Sequence, residues 1–217
     1  MSGRQIERLF GLYFRLNGYF LTKYIVHSPD KGSLGTDIDW IALKNPYHDQ
    51  KTTGNNGCDF LNLDAEVTDV IICEVKSGFA DFNKALKSLD VLKDVLSWVG
   101  VVKPCHIDDV CRDLEQLVDV TVNKEKAKSG IDYNSCKIRF LMAVGRDCDH
   151  DEEKVWRLNS SIAIKYIYSS LNKHNKPETC SRDYTTTVWD EYKDIVDWFK
   201  SCTEQPTIEK FKKQFSK

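Results

Sequence analysis

Residues 70–78 read VIICEVKSG. Four apolar residues in succession predict a buried strand. The run ends without a turn signal, in a glutamate and a lysine two positions apart. Side chains of a strand alternate between faces, so Val70, Ile72, Glu74 and Lys76 share one face and the two charges point the same way.

Just upstream, TDIDWIALK (36–44) predicts another strand, on which Asp37, Asp39, Ile41 and Leu43 share a face. Antiparallel pairing that matches Leu43 with Val70 sets apolar against apolar and Asp39 against Glu74. Two carboxylates opposed at the end of a buried sheet repel unless a cation lies between them. Mg²⁺ takes oxygen ligands, typically one or two carboxylates with waters and substrate phosphate. Such an ion lowers the pKa of its water and stabilises charge on a phosphodiester, and a neighbouring ammonium can orient the water or stabilise the phosphate. Asp39, Glu74 and Lys76 are the candidates for that chemistry.

The rest of the chain predicts a mixed α/β order. In RQIERLFGLYFRLN (4–17), Ile6, Leu9, Phe10, Tyr13, Phe14 and Leu16 recur at helical spacing, and Gly18 is the stop. YFLTKYIVH (19–27) is the first strand, SPDKGSLG (28–35) a turn-rich loop, 36–44 the second strand, and TDVIICEVK (68–76) the third. The polar connection 45–67 is long, and its CDFLNLDAEV segment has room for an extra hairpin strand. Asp64 and Asp69 then compete with Asp39 as ligands, although Asp69, five residues from Glu74, falls on the opposite face. Phe79, Phe82, Leu86, Leu89, Leu92, Leu96 and Val99 predict one helix over 79–99, and a second runs over about 107–124. KIRFLMAVG (137–145) is a fourth strand; the acidic loop RDCDHDEE and helices near 160–172, 188–201 and 207–215 follow.

Among 217 residues, 31 basic and 33 acidic side chains leave a net charge of −2, so a polyanion can be attracted only by a local patch. No stretch approaches the roughly 18 apolar residues of a membrane span, and a cytoplasmic protein with no membrane partner is expected. Eight cysteines show no C-x-x-C pair and no finger spacing, and Cys73 and Cys136 fall in predicted buried strands. They read as structural thiols.

Asp39 in GTDIDW, followed by ICEVK on the next strand, resembles the D…(D/E)-x-K signature of the PD-(D/E)XK nuclease superfamily of restriction endonucleases, resolvases and repair nucleases. The helix and strand order is similar to the αβββαβ core of that family. The resemblance spans about residues 4–145. It implies a single restriction endonuclease-like α/β domain over 1–217, with a mixed central sheet flanked by helices and a helical C-terminal appendage over about 150–217. The implied activity is hydrolysis of DNA phosphodiester bonds with Mg²⁺, for which Mn²⁺ can substitute. Asp39, Glu74 and the carbonyl of Val75 are the implied metal ligands, and Lys76 is the implied catalytic lysine. Glu7 in QIERLF matches an acid that many members carry on the first helix, binding the metal or supporting a ligand. Whether the protein acts as a homodimer or with a partner subunit is left open.

Acid-x-lysine alone is weak, since it occurs at Asp49–Lys51, Glu74–Lys76, Glu152–Lys154 and Glu191–Lys193, but only Glu74–Lys76 closes an apolar strand. Against the metal-site reading stand an exposed ion pair at a strand end, a loop cap at Asp37 and Asp39, and a solvated helix face at Glu7. Lys84 and Lys87, on the polar side of the predicted helix after the motif, are candidates for DNA backbone contact or plain solvation. The rival function is a nuclease-like fold that binds nucleic acid or protein with weak or no catalysis.

Overall fold

The computed structural model describes residues 3–27, 34–48, 57–78, 82–118, 124–146, 156–172 and 190–216. It is an α/β structure around one mixed, open sheet. The chain runs through α1 (Gly3–Leu16), β1 (Phe20–His27), β2 (Leu34–Lys44), β3 (Thr68–Lys76), α2 (Leu89–Val99), α3 (Ile107–Leu117), α4 (Lys124–Ser129), β4 (Ile131–Tyr133), β5 (Cys136–Val144), β6 (Arg157–Asn159), α5 (Ser160–Leu171), α6 (Lys193–Ser201) and α7 (Ile208–Gln214). Strand order is β1-β2-β3-β5-β4, with β6 also beside β5. β1, β2 and β3 form an antiparallel meander, and β5 returns parallel to β3 after the crossover through α2 and α3. No described helix is long and apolar enough to cross a membrane.

β3 sits at the centre because it is apolar on both sides. Val70 and Ile72 belong to one core with α2 and α3, whereas Ile71 and Cys73 belong to another with α1. The helices after residue 150 complete that second layer, for Ile164, Ile195, Phe199 and Phe211 are buried in the same cluster as Phe10 and Phe14. Cys73 and Cys136 are buried free thiols, as their strands predict.

Helix α1 ends as its sequence predicts. Gly18 takes φ 86°, its N–H donates to the Arg15 carbonyl at 3.0 Å, and the Tyr19 N–H donates to the Phe14 carbonyl at 3.1 Å. The Tyr19 ring packs on Phe14 at 5.6 Å, the apolar contact that accompanies this kind of stop. Within α1, a Cβ at Gly11 would stand 2.9 Å from the Trp40 ring, so glycine lets the helix lie close on the sheet.

Two helices differ from the pattern-based reading. The single helix expected over 79–99 is a 3₁₀ turn at Lys84–Lys87 followed by α2, separated by Ser88 in an extended conformation (φ −99°, ψ 122°). Both kinds of turn place residues three apart on one side, so the apolar spacing runs on through the break. Phe82, Leu86, Leu92 and Leu96 are buried as expected, and Phe79 lies outside the described residues. The helix expected over 107–124 ends at Leu117. The extra strand considered in CDFLNLDAEV is not formed; residues 59–61 make a 3₁₀ turn that buries Leu61 and stacks Phe60 on Trp156 at 5.5 Å.

Asp69, the second residue of β3, lies on the face away from Glu74 and meets Arg139 of β5 there. Both are buried, at 2% and 1% exposure. The guanidinium holds both carboxylate oxygens, one at 2.9 Å, lies 4.5 Å over the Trp156 ring, and donates to the Leu61 carbonyl at 2.9 Å. The Tyr19 hydroxyl also donates to Asp69, and burial pushes its pKa well above the usual tyrosine range. Asp69 therefore has a structural role, and Asp64 accepts the Glu66 N–H in a turn at 2.9 Å. Either Asp69→Asn or Arg139→Met should cost about 3–5 kcal/mol in urea unfolding, because the surviving group stays buried without its counter-charge. The double variant Asp69→Leu/Arg139→Met should recover most of the loss.

Candidate functional site

The pairing of β2 with β3 matches Leu43 with Val70 and continues to Trp40 opposite Cys73. Extended by one residue, this register sets Asp39 against Glu74, the pairing expected from apolar matching. The ladder stops at Trp40, and beyond it the Asp39 carboxylate takes the place of a backbone acceptor: its Oδ2 receives the Val75 N–H at 2.7 Å.

Asp39 is aimed by a β-bulge. Thr22 pairs with Ile41 and Tyr24 with Ile38, so Lys23 alone opposes Asp39 and Trp40. The strict alternation expected for Asp37, Asp39, Ile41 and Leu43 therefore breaks, and Ile38 joins Ile41 in the same core. The side chain of Asp37 lies outside the described residues.

Glu74 is 2% exposed, on the face of Val70 and Ile72. Its Oε2 accepts the Asn83 backbone N–H at 2.8 Å, while its Oε1 lies against the Lys76 ammonium. That oxygen is buried and makes no hydrogen bond of good geometry, although the ion pair is close. The ammonium thus neutralises the carboxylate as an ion pair without a well-formed hydrogen bond to that oxygen. The Lys76 side chain, 22% exposed, also donates to Asn83 Oδ1 at 2.8 Å. The Lys76 carbonyl accepts the Gly145 N–H at 2.8 Å, which ties the ends of β3 and β5 together.

On the opposite face of β3 from Glu74, burial raises the pKa of the Cys73 thiol well above the ordinary range, with the charges of Asp39 and Glu74 adding to the effect. It stays a neutral thiol and an inert part of the core.

Glu7 belongs to α1, whose buried face packs in the other core, across the sheet from Glu74. Its Oε2 is 2.6 Å from Lys23 Nζ, its carbonyl accepts the Trp40 indole N–H at 2.9 Å, and Lys23 lies 4.7 Å over the Trp40 ring. Lys87 is exposed; the backbone of Lys84 shares its 3₁₀ turn, and the Lys84 side chain lies outside the described residues. The structure thus brings together Asp39, Val75, Glu74 and Lys76, and gives Glu7 a separate partner.

Among the described residues, no three His, Cys, Asp or Glu side chains form a metal-binding group. A hard divalent ion does not require three, since one or two carboxylates with a backbone carbonyl and waters suffice. Glu74, whose Oε1 is buried without a well-formed hydrogen bond, and Asp39, opposite it when the β2–β3 register is extended, are the residues that could hold such an ion, provided that Lys76 moves off that oxygen. Sequence reasoning missed Asn83, which touches both members of the ion pair; its only sequence signal is a position just before a helical turn. Comparison with family models, with curated proteins and with solved structures returned no match.

Lys76→Met removes the ammonium that neutralises a carboxylate buried to 2% exposure. In EDTA this variant should lose about 1–3 kcal/mol in thermal or urea unfolding, the cost of an unsatisfied buried group. An exposed strand-end pair would give a change near zero.

Proposed function

We propose that the chain is a metal-dependent nuclease that hydrolyses DNA phosphodiester bonds on a restriction endonuclease-like core. One observation carries this reading: at the end of two adjacent strands, Asp39, buried Glu74 and Lys76 meet within hydrogen-bond or ion-pair reach of the same short stretch, residues 74–76. The antiparallel β1-β2-β3 meander, the parallel return of β5 and the helix before the meander agree with the αβββαβ order of the PD-(D/E)XK superfamily.

On this reading Asp39 and Glu74, with the Val75 carbonyl, hold Mg²⁺ or Mn²⁺. The ion supplies an acidified water and charge neutralisation at the phosphate. Lys76 projects from the same strand face as Glu74 and donates to the attacking water or to the developing phosphate charge. Trp40 and Lys23 close the Glu7 side of β2, so Glu7 supports the strand that carries Asp39. Lys87, with Lys84, supplies local positive charge for the DNA backbone.

A second reading is favoured by the ion pair itself. Glu74 already has a cation on it, so the fold can serve as a nucleic-acid-binding or protein-interaction module in which Lys76 closes the site and no cleavage follows.

Incubation of the purified protein with duplex, single-stranded and branched DNA, and with RNA, in Mg²⁺, Mn²⁺ or EDTA separates the two. The nuclease reading requires metal-dependent cleavage, reduced about 10²- to 10⁴-fold in Lys76→Ala with binding retained. Intact substrate in every metal, with binding preserved, selects the module. Thermal melts add a substrate-free measure: at a hundredfold excess over Kd, a divalent ion should stabilise wild type by about 2.7 kcal/mol, and Asp39→Asn or Glu74→Gln much less. Equal metal responses in all three proteins would remove the proposed ligands.

The salt dependence of DNA affinity reports how many phosphates the protein neutralises. For each phosphate that Lys84→Ala/Lys87→Ala leaves unneutralised, the log–log salt slope should flatten by about 0.9. An unchanged slope takes both lysines off the binding surface.

A further inference from the structure

We infer that Asn83 is a positioning residue: its side-chain carbonyl keeps the Lys76 ammonium beside the site when a divalent cation takes Glu74. The inference rests on the nuclease reading above.

One residue grips both ends of the ion pair. The Asn83 backbone N–H donates to Glu74 Oε2 at 2.8 Å, and its Oδ1 accepts from Lys76 Nζ at 2.8 Å. Asn83 is itself well anchored. Phe82 before it is 6% exposed and Leu86 after it 2% exposed, both in the core under α2 and α3, and the Asn83 carbonyl accepts the Leu86 N–H at 3.0 Å.

The need for such a grip follows from charge. Lys76 and a divalent ion cannot share Glu74 Oε1, because both are cations and the oxygen is buried. When the carboxylate is given to metal, the ammonium loses its strongest partner. Lys76 is the last residue of β3, its side chain partly exposed, and a four-carbon stem would then be free to turn toward water. The side-chain oxygen of Asn83 accepts a charge-assisted hydrogen bond from the ammonium that does not depend on Glu74. Lys76 can therefore leave Glu74 without leaving the site.

The two hydrogen bonds of Asn83 are separable by mutation. Asn83→Ala keeps the backbone N–H on Glu74 and deletes only the bond from Lys76; Asn83→Asp keeps an acceptor oxygen at the same place. Accessibility of Lys76 is read by amine acetylation and mass spectrometry, with exposed Lys87 as the internal reference. Saturating Mg²⁺ should leave Lys76 protected in wild type and raise its relative labelling about tenfold in Asn83→Ala, the equivalent of one charge-assisted hydrogen bond. Asn83→Asp should restore protection. In cleavage assays Asn83→Ala should lower kcat by a similar factor and leave KM near wild type, since the deleted hydrogen bond positions a group that acts in the transition state.

Equal Lys76 labelling in metal-loaded wild type and Asn83→Ala, in a wild type that cleaves DNA and melts higher with Mg²⁺, overturns the role of Asn83 alone. A wild type that neither cleaves nor responds to metal overturns the nuclease reading, and the inference falls with it.

Discussion

The buried pair of Asp69 and Arg139 fixes the register on which the site depends. It joins the first part of β3 to β5 across a parallel ladder in which Asp69 lies beside Lys137 and Ile71 beside Arg139. A slip of one residue would turn Arg139 toward the α2 and α3 core, where the described packing around β5 is apolar: Ile138, Phe140 and Met142. The cost would be a buried guanidinium without its carboxylate, about 3–5 kcal/mol by analogy with other broken buried pairs. Register set at this end carries to the other. It brings Gly145 to the Lys76 carbonyl, and so decides where β3 stops and how deep Glu74 lies.

The two ends of β3 solve the same problem differently. Asp69 and Arg139 are both nearly sealed from water, and the guanidinium is met by carboxylate, carbonyl and ring face. Such a network specifies a register and has no reason to change. At Glu74 the arrangement is incomplete. One carboxylate oxygen has a good hydrogen bond from Asn83, and the other faces an ammonium without one, on a lysine that reaches water. Local rules are commonly broken where function overrides stability. The contrast between a closed pair and an open one on the same strand distinguishes a structural charge from a candidate functional one.

The sequence carried this contrast only in part. β3 was legible because the apolar run from Val70 to Cys73 is too short for a buried helix and rich in β-branched residues, and the register with β2 followed from matching Leu43 to Val70. Parity alone separated Asp69 from Glu74. The bulge at Asp39 and Trp40 was not legible, since it depends on how Lys23 packs over Trp40 from the neighbouring strand. Nor was the break at Ser88: a 3₁₀ turn and an α-helix share the three-residue spacing that apolar periodicity reports. β4 and β6 have three residues each, too few for a period of two to declare itself. Asn83 escaped because its role lies in a backbone N–H and an amide oxygen, neither of which has a sequence pattern.

Charge at the site links cation binding to substrate binding. Asp39 and Glu74 contribute −2 and Lys76 +1, so the metal-free group sums to −1 in a chain whose overall charge is −2. Neither the net charge of the metal-free site nor that of the whole chain then attracts a polyanion, which leaves only local basic patches to do so. On the nuclease reading, a divalent ion held by the same carboxylates would bring the group to +1, with Lys76 kept at the site by Asn83. Screening confines fields to about 10 Å at 0.1 M salt, so this local change of sign outweighs the distant surface acids. On the nuclease reading, the Lys76–Glu74 pair does more than hold a strand end together. If the proposed metal site holds, the pair would keep the site unattractive to nucleic acid until a divalent ion had bound.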